Sequence, residues 1–309
     1  MTAEANCMSR HHSCIGLDIG GTQIKAAAFA VDGAVLDEKS APTGDDGSRE
    51  WMERARAVVR SVTANWAAPV CLGVAAPGLP SADRRSIAFM PGRLHGLERL
   101  DWQQWLALDI PVTVFNDAQA ALLGEVWLGA AKNAKNAVLL TLGTGVGGAA
   151  MVDGRILHGH LGRAGHLGHV SLNPEGAPDI ARTPGSLEDA IGECTVAKRS
   201  GGQFSTTREL VAAFRDGSTG AAEIWLRSVR ALAAALAGLI NVLDPEIIVL
   251  GGGIADADDA LFEPLQARLD ETEWRPGDAR VRLVKAALGR NAGAAGAAYG
   301  AKLAAEGEL

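Results

Sequence analysis

Three glycine clusters, each entered from an apolar run, constrain this chain more than any other feature: Gly20-Gly21, Gly143 to Gly148 and Gly251 to Gly253. Glycine lets backbone amides approach an anion closely and takes up positive φ without a steric penalty, so a glycine turn at a strand end can cradle phosphate oxygens. One such turn is equally well explained as an ordinary tight turn. Three of them at strand ends point to a nucleotide.

The intervening pattern is α/β. Cys14 to Ala30 runs apolar, then Asp18-Ile19-Gly20-Gly21-Thr22, then apolar again, which reads as a β-hairpin. Asp32-Gly33 marks another turn, with a third strand over 34–38. Residues 48–66 place Trp51, Val58, Val59, Val62 and Trp66 at helical spacing, with Ser48 as the expected N-cap. Strands are expected over 70–75, ending at Pro77-Gly78, and over 111–115, the latter running into a helix over 117–129. A second hairpin covers 137–152, with Gly143-Thr144-Gly145-Val146-Gly147-Gly148 as its turn. The likeness of the two hairpins suggests two related α/β halves. Helices are then expected to start at Ser186, Ser205, Ser218, Asp258 and Ala292, with strands over 246–250 and 281–286. The apolar run Ala231 to Leu243, about 13 residues, falls short of the ~20 that span a bilayer and reads as a buried helix.

Two nucleotide signatures are ruled out. Gly143, Gly145 and Gly148 satisfy G-x-G-x-x-G, but that motif needs a helix after the turn, and here an apolar strand and Asp153-Gly154 follow. No G-x-x-x-x-G-K-[ST] run is present.

What remains is specific. Asp18-Ile19-Gly20-Gly21-Thr22 with Lys25, Leu142-Gly143-Thr144-Gly145-Val146-Gly147-Gly148, and Leu250-Gly251-Gly252-Gly253-Ile254 look like the two phosphate turns and the adenosine turn of the actin-like sugar kinases. From about Cys14 onward the chain resembles the ROK family (repressors, open reading frames and kinases). The resemblance implies two actin-like, ribonuclease-H-like α/β domains with an active-site cleft between them: residues 13–128 with the C-terminal helix 290–309 as the smaller, 129–289 as the larger. It implies ATP-dependent phosphorylation of a hexose-like hydroxyl by a glucokinase-type kinase. Asp117, in Phe115-Asn116-Asp117, matches the catalytic base, although an acidic residue at that helix start is on its own read first as an N-cap. Asn116 matches a sugar-binding residue, and Gly78, Arg93, His166, His169 and Glu188 fall at substrate positions. Gly20, Gly21, Thr22, Lys25, Gly143, Thr144, Gly145, Gly147, Gly252 and Gly253 fall at ATP positions, and Asp18 at the carboxylate near Mg²⁺. A cytoplasmic homodimer is the family expectation, and polyphosphate stands beside ATP as a donor to test.

The chain also departs from the family. E-x-G-H has become His166-Leu167-Gly168-His169, and N-L-P-G-W has become Arg93-Leu94-His95-Gly96-Leu97. Two changes toward donors or cations suggest an acceptor other than plain glucose, one that is modified, aminated, cyclitol-like or anionic. The alternative for Arg93 is a solvated surface charge. Most members hold zinc through G-H and a C-x-C-G-x-x-G-C-x-E run. Here the cysteine positions read Asp179, Ala181 and Ser186, so no zinc is expected. His158, His160, His166 and His169 cluster without a carboxylate or cysteine partner at ligand spacing.

Composition narrows the remaining choices. With 29 Lys plus Arg against 36 Asp plus Glu, the net charge of -7 is unsuited to a nucleic-acid surface, and no membrane partner is expected. Cys7, Cys14, Cys71 and Cys194 form no C-x-x-C pair and read as thiols in a reducing compartment. A DNA-binding repressor fits poorly, since the first phosphate turn starts at Asp18 and leaves no room for a preceding helix-turn-helix domain. A non-catalytic sugar sensor is the stronger rival, opposed by the retention of Asp117, which a sensor does not need.

Overall fold

The computed structural model describes residues 13–64 and 69–309. Cys7 and Trp66, used above, lie outside that range. The first half comprises β1 (Cys14–Ile19), β2 (Gln23–Phe29), β3 (Val35–Pro42), α1 (Glu50–Thr63), β4 (Cys71–Ala76), β5 (Leu79–Pro80), β6 (Ile87–Phe89), α2 (Trp102–Leu106), β7 (Val112–Asn116) and α3 (Asp117–Trp127). There follow β8 (Ala137–Leu142), β9 (Val146–Val152), β10 (Arg155–Ile156), α4 (Leu187–Ile191), α5 (Val196–Arg199), α6 (Thr207–Arg215), α7 (Thr219–Leu243), β11 (Ile247–Gly251), α8 (Asp259–Thr272), β12 (Arg282–Lys285) and α9 (Ala292–Glu306).

The chain divides into two compact α/β units. Among the described residues, the first holds those up to Asn133, Arg155–Ala164 and Ala287–Leu309; the second holds Ala134–Gly154 and Gly165–Ala286. Residues 155–164, assigned by sequence to the second half, thus cluster with the first.

Unit 1 is built on a sheet of order β3-β2-β1-β4-β7. β1 and β2 form the antiparallel hairpin, with Asp18 opposite Lys25, while β4 runs parallel to β1 and β7 parallel to β4. In register, Asp18 lies beside Ala75, and Ala75 beside Phe115. One face packs on α1 and the loops before β7, where Trp51, Trp102, Leu17, Val74, Leu94 and Leu97 are buried together. The other face carries α9, whose Ala294, Ala295, Ala298 and Ala301 are buried with Cys14, Ala27 and Phe29. Small residues decide that contact. A Cβ on Gly16 would stand 1.7 Å from the Ala294 carbonyl oxygen, so any larger residue would force the helix off the strand. Buried Glu125 closes the same layer by accepting from the amides of Ala130, Ala287 and Leu288. Cys14 and Cys71, cross-strand neighbours, are buried free thiols with sulfurs 3.1 Å apart.

The second unit repeats the scheme. β8 and β9 form an antiparallel hairpin, β11 runs parallel to β8 and β12 parallel to β11. Its helix signals follow the sequence closely. Ser186 and Ser218 cap α4 and α7, and Thr206 closes a capping box with Glu209 at the start of α6. One expected cap is displaced: α1 starts after Arg49, which makes no side-chain cap bond, while Ser48 accepts only from the Glu50 amide. Helix α7 is 25 residues long and contains an 18-residue window apolar enough, by length and composition, to cross a membrane, while Glu223, Arg227 and Arg230 lie in its first half. Ile224, Trp225, Leu232 and Leu236 on one face are buried, as in a core helix.

Candidate active site

In unit 1 the carboxyl ends of three parallel strands bring the chemistry together, the usual place for ligands in such sheets. β1 delivers Asp18 and the Gly20-Gly21-Thr22 turn; β7 delivers Asn116 and Asp117. Gly20 N donates to Gln23 O at 2.9 Å, and buried Thr43 clasps the turn by donating its hydroxyl to Gly20 O at 2.7 Å. Thr43 had no sequence signal. Gly21 and Thr22 are exposed at the tip.

Asn116 rather than Asp117 is the N-cap of α3. Its Oδ1 accepts from Ala118 N at 2.9 Å, and Gln119 Oε1 accepts from Asn116 N, completing a capping box. Asn116 Nδ2 donates to Gly78 O at 3.0 Å, which fixes the turn after β4. Asn116 is therefore buried and already bonded at both ends, and Gly78 enters as a carbonyl acceptor. Asp117, the next residue, is exposed in the first turn of the helix. Its Oδ1 accepts from Ala118 N at 2.8 Å.

Asp18 is the perturbed acid of this group. Its carboxyl is tucked against the start of α9, where a Cβ at position 293 would stand 2.5 Å from Oδ2. Burial, and next the charge of Asp117, push its pKa up to about 7, with Lys25 pulling the other way. Lys25 itself is buried and donates to Arg290 O and Asn291 Oδ1, both at 2.9 Å, so its visible role is to anchor the chain entering α9. Arg93 leans over the Gly21 turn: a Cβ at 21 would stand 2.8 Å from Nη2. Its Nε pairs with Asp45 Oδ2 at 3.4 Å.

Unit 2 carries the other glycine turns. Gly143 and Thr144 are strapped by Glu193 N donating to Gly143 O and Cys194 N to Thr144 O, each at 2.9 Å. Gly147 already lies within β9, paired with Thr141. Glu188 Oε2 accepts from Val146 N at 2.9 Å, which commits that oxygen to bracing the second glycine turn. Gly252, at φ 84°, could carry no side chain, since its Cβ would stand 2.3 Å from Leu142 O. Gly143, Thr144 and Gly253 line a cavity of about 500 Å³. Glu193, Thr207, Arg208, Ala212 and Arg215 line it too. Sequence reasoning missed these five because Thr207, Arg208, Ala212 and Arg215 lie on α6 and Glu193 in the 3-10 turn after α4, with no motif of their own. A volume of that size suits a nucleoside.

His166 precedes the short 3-10 turn Leu167–His169. His169 Nδ1 bonds Asp179 Oδ2 at 2.7 Å, and the Asp179 side chain is 1% exposed. Asp179 Oδ1 also accepts from Ala181 N and Thr183 N.

The donor chemistry separates the two metals in question. Zinc wants four nitrogen or sulfur ligands. Here Asp179 is spent on His169, Ala181 offers no donor and Ser186 caps α4, so the set does not fit. Magnesium takes oxygen ligands, often one or two carboxylates with phosphates. Asp18, destabilised as an anion by burial and next by Asp117, fits such an ion. Among the described residues no group of three or more His, Cys, Asp or Glu side chains is placed to hold a metal alone.

The ROK family model matches residues 14–304. The chain is 32% identical to the glucokinase of Halalkalibacterium halodurans over 83% of its own length and 84% of that protein's. It superposes on the ROK hexokinase of Thermus thermophilus with a TM-score of 0.82 at 31% identity, covering 96% of this chain and 99% of that one. For the ROK glucokinase of Streptomyces griseus in complex with glucose and AMPPNP the TM-score is 0.74 at 25% identity, over 94% and 99% of the two chains. The chain belongs to the ROK family, among its glucokinase-like sugar kinases.

Proposed function

We propose that this ATP-dependent sugar kinase transfers the γ-phosphoryl group to a hydroxyl of a hexose or hexose-like sugar, with Asp117 as general base. One observation carries the reading: Asp117 stands exposed beside a locked Asn116, at the same sheet end as Asp18 and the Gly20 turn, and is close enough to perturb Asp18. A carboxylate so placed accepts the proton as the hydroxyl oxygen attacks phosphorus. The P–O bond to ADP breaks and its electrons leave on the diphosphate.

Asn116, fixed through Gly78 and Ala118, offers its remaining amide proton to the sugar. His169 gives Nδ1 to Asp179, so its Nε2 is left to meet an acceptor hydroxyl. We assign His166 and the free oxygen of Glu188 to the same acceptor. Amides of Gly20 to Thr22 and Gly143 to Gly145 would hold the phosphates. The cavity walled by Arg208, Arg215 and Gly253 would take the adenosine. Asp18 would hold a magnesium ion, which would supply positive charge to offset that developing on the phosphates. We place the enzyme in the cytoplasm as a homodimer, as its resemblance to the family implies.

Release of ADP, measured across hexoses, hexosamines, cyclitols and sugar acids with ATP and with polyphosphate as donors, tests this reading. Turnover of one sugar class is expected. Tight sugar binding with no turnover for any of them would favour the sensor instead.

A further inference from the structure

Arg93 was expected to read the acceptor, yet its guanidinium is held over the phosphate turn. Two anchors set that position. The loop carrying it turns through Gly92 at φ 82° and Leu94 at φ 48°, and Leu94 is buried in the core of unit 1. Asp45 then takes both sides of the residue: Oδ1 accepts from Leu94 N at 2.9 Å, and Oδ2 pairs with Arg93 Nε at 3.4 Å. What is left pointing outward is the Nη end, and Nη2 is the atom that a Cβ at position 21 would meet at 2.8 Å.

The brace is shared. Thr43 donates its hydroxyl to Gly20 O and its amide to Thr22 O, while Asp45, two residues on, holds Arg93. One short segment therefore sets both the glycine turn and the guanidinium above it. Exposure of 47% leaves the Nη groups room to bind. Arginine suits the task, since its planar fork presents parallel donors to two oxygens of one phosphoryl group, and Asp45 restricts the rotation that would otherwise be lost on binding.

We propose that Arg93 is a catalytic residue that binds the transferring phosphoryl group at the Gly20-Gly21 turn, rather than a reader of the acceptor sugar. The inference rests on the reading that this turn holds the terminal phosphate. As the bond to ADP loosens, charge spreads over the equatorial oxygens of the γ-phosphoryl group, and fixed donors there stabilise the transition state more than the ground state.

Binding of AMPPNP and of ADP to the full chain, with and without Arg93→Ala, tests the proposal independently of turnover. AMPPNP should weaken about tenfold or more, the scale of one charge-assisted contact, and ADP should hold its affinity. In the ADP-release assay kcat should fall about 100-fold, with the acceptor KM unchanged. Asp45→Asn, which weakens the hold on Nε while keeping Arg93 itself, should show the same pattern in milder form. Unchanged AMPPNP affinity together with a raised acceptor KM would return Arg93 to the sugar and overturn the proposal, as would no change in either. A wild-type enzyme that binds nucleotide but turns over no sugar would count against the kinase reading and leave the nucleotide comparison still decisive for Arg93.

Discussion

Asp18 and Asp117 share the carboxyl edge of one sheet, and the negative charge of Asp117 helps raise the pKa of Asp18 to about 7. Two carboxylates set this way are poorly matched to an empty protein and well matched to one holding a cation and phosphates. The strain is local, and it makes the unliganded protein sensitive to pH.

The folded state binds a proton at Asp18 more tightly than the unfolded chain, whose aspartate titrates at 3.8. Stability from this proton is full below 3.8 and is lost as pH rises through about 7. Asp18→Asn removes the titration. Thermal unfolding of both proteins without ligand should show the variant gaining on the parent between pH 5 and pH 8. A difference independent of pH would place the perturbation elsewhere.

The cavity of unit 2 has an exposed wall residue on a helix, Ala212 on α6, where a large side chain can be added without disturbing the core. Ala212→Trp should lower the affinity for ATP about tenfold or more by filling that space, with the melting temperature held. Unaltered nucleotide binding, read with a fluorescent ATP analogue, would show that adenosine sits elsewhere.

Asp179 accepts from Ala181 N and Thr183 N and bonds His169, in the stretch where most family members hold a metal. Asp179→Ala removes all three bonds and should cost about 1–3 kcal/mol of stability, with a higher acceptor KM as His169 loses its orientation. Treatment of the parent with EDTA, followed by dialysis and assay in fresh magnesium, should leave stability and activity unchanged. Loss of stability on chelation would reveal a metal that this donor set does not explain.

Much of this was legible because local chemistry and tertiary structure agree. The Gly20 and Gly143 turns and the capping residues Ser186 and Ser218 each follow from a few neighbouring residues. Lys25 was not legible, since its partners Arg290 and Asn291 lie at the far end of the chain. Nor was the place of Arg93, which depends on Asp45 and on a left-handed Leu94. Spacing cannot tell an N-cap from its neighbour, and so Asp117 read first as a cap. The capping box of Asn116 with Gln119 gives that role to Asn116.

Asp117→Asn bears most directly on the account. The amide keeps the shape of the side chain and loses its basicity, so turnover in the ADP-release assay should fall by at least ~100-fold while binding of sugar and nucleotide persists. Turnover equal to the parent, with binding intact, would contradict a general base at this position.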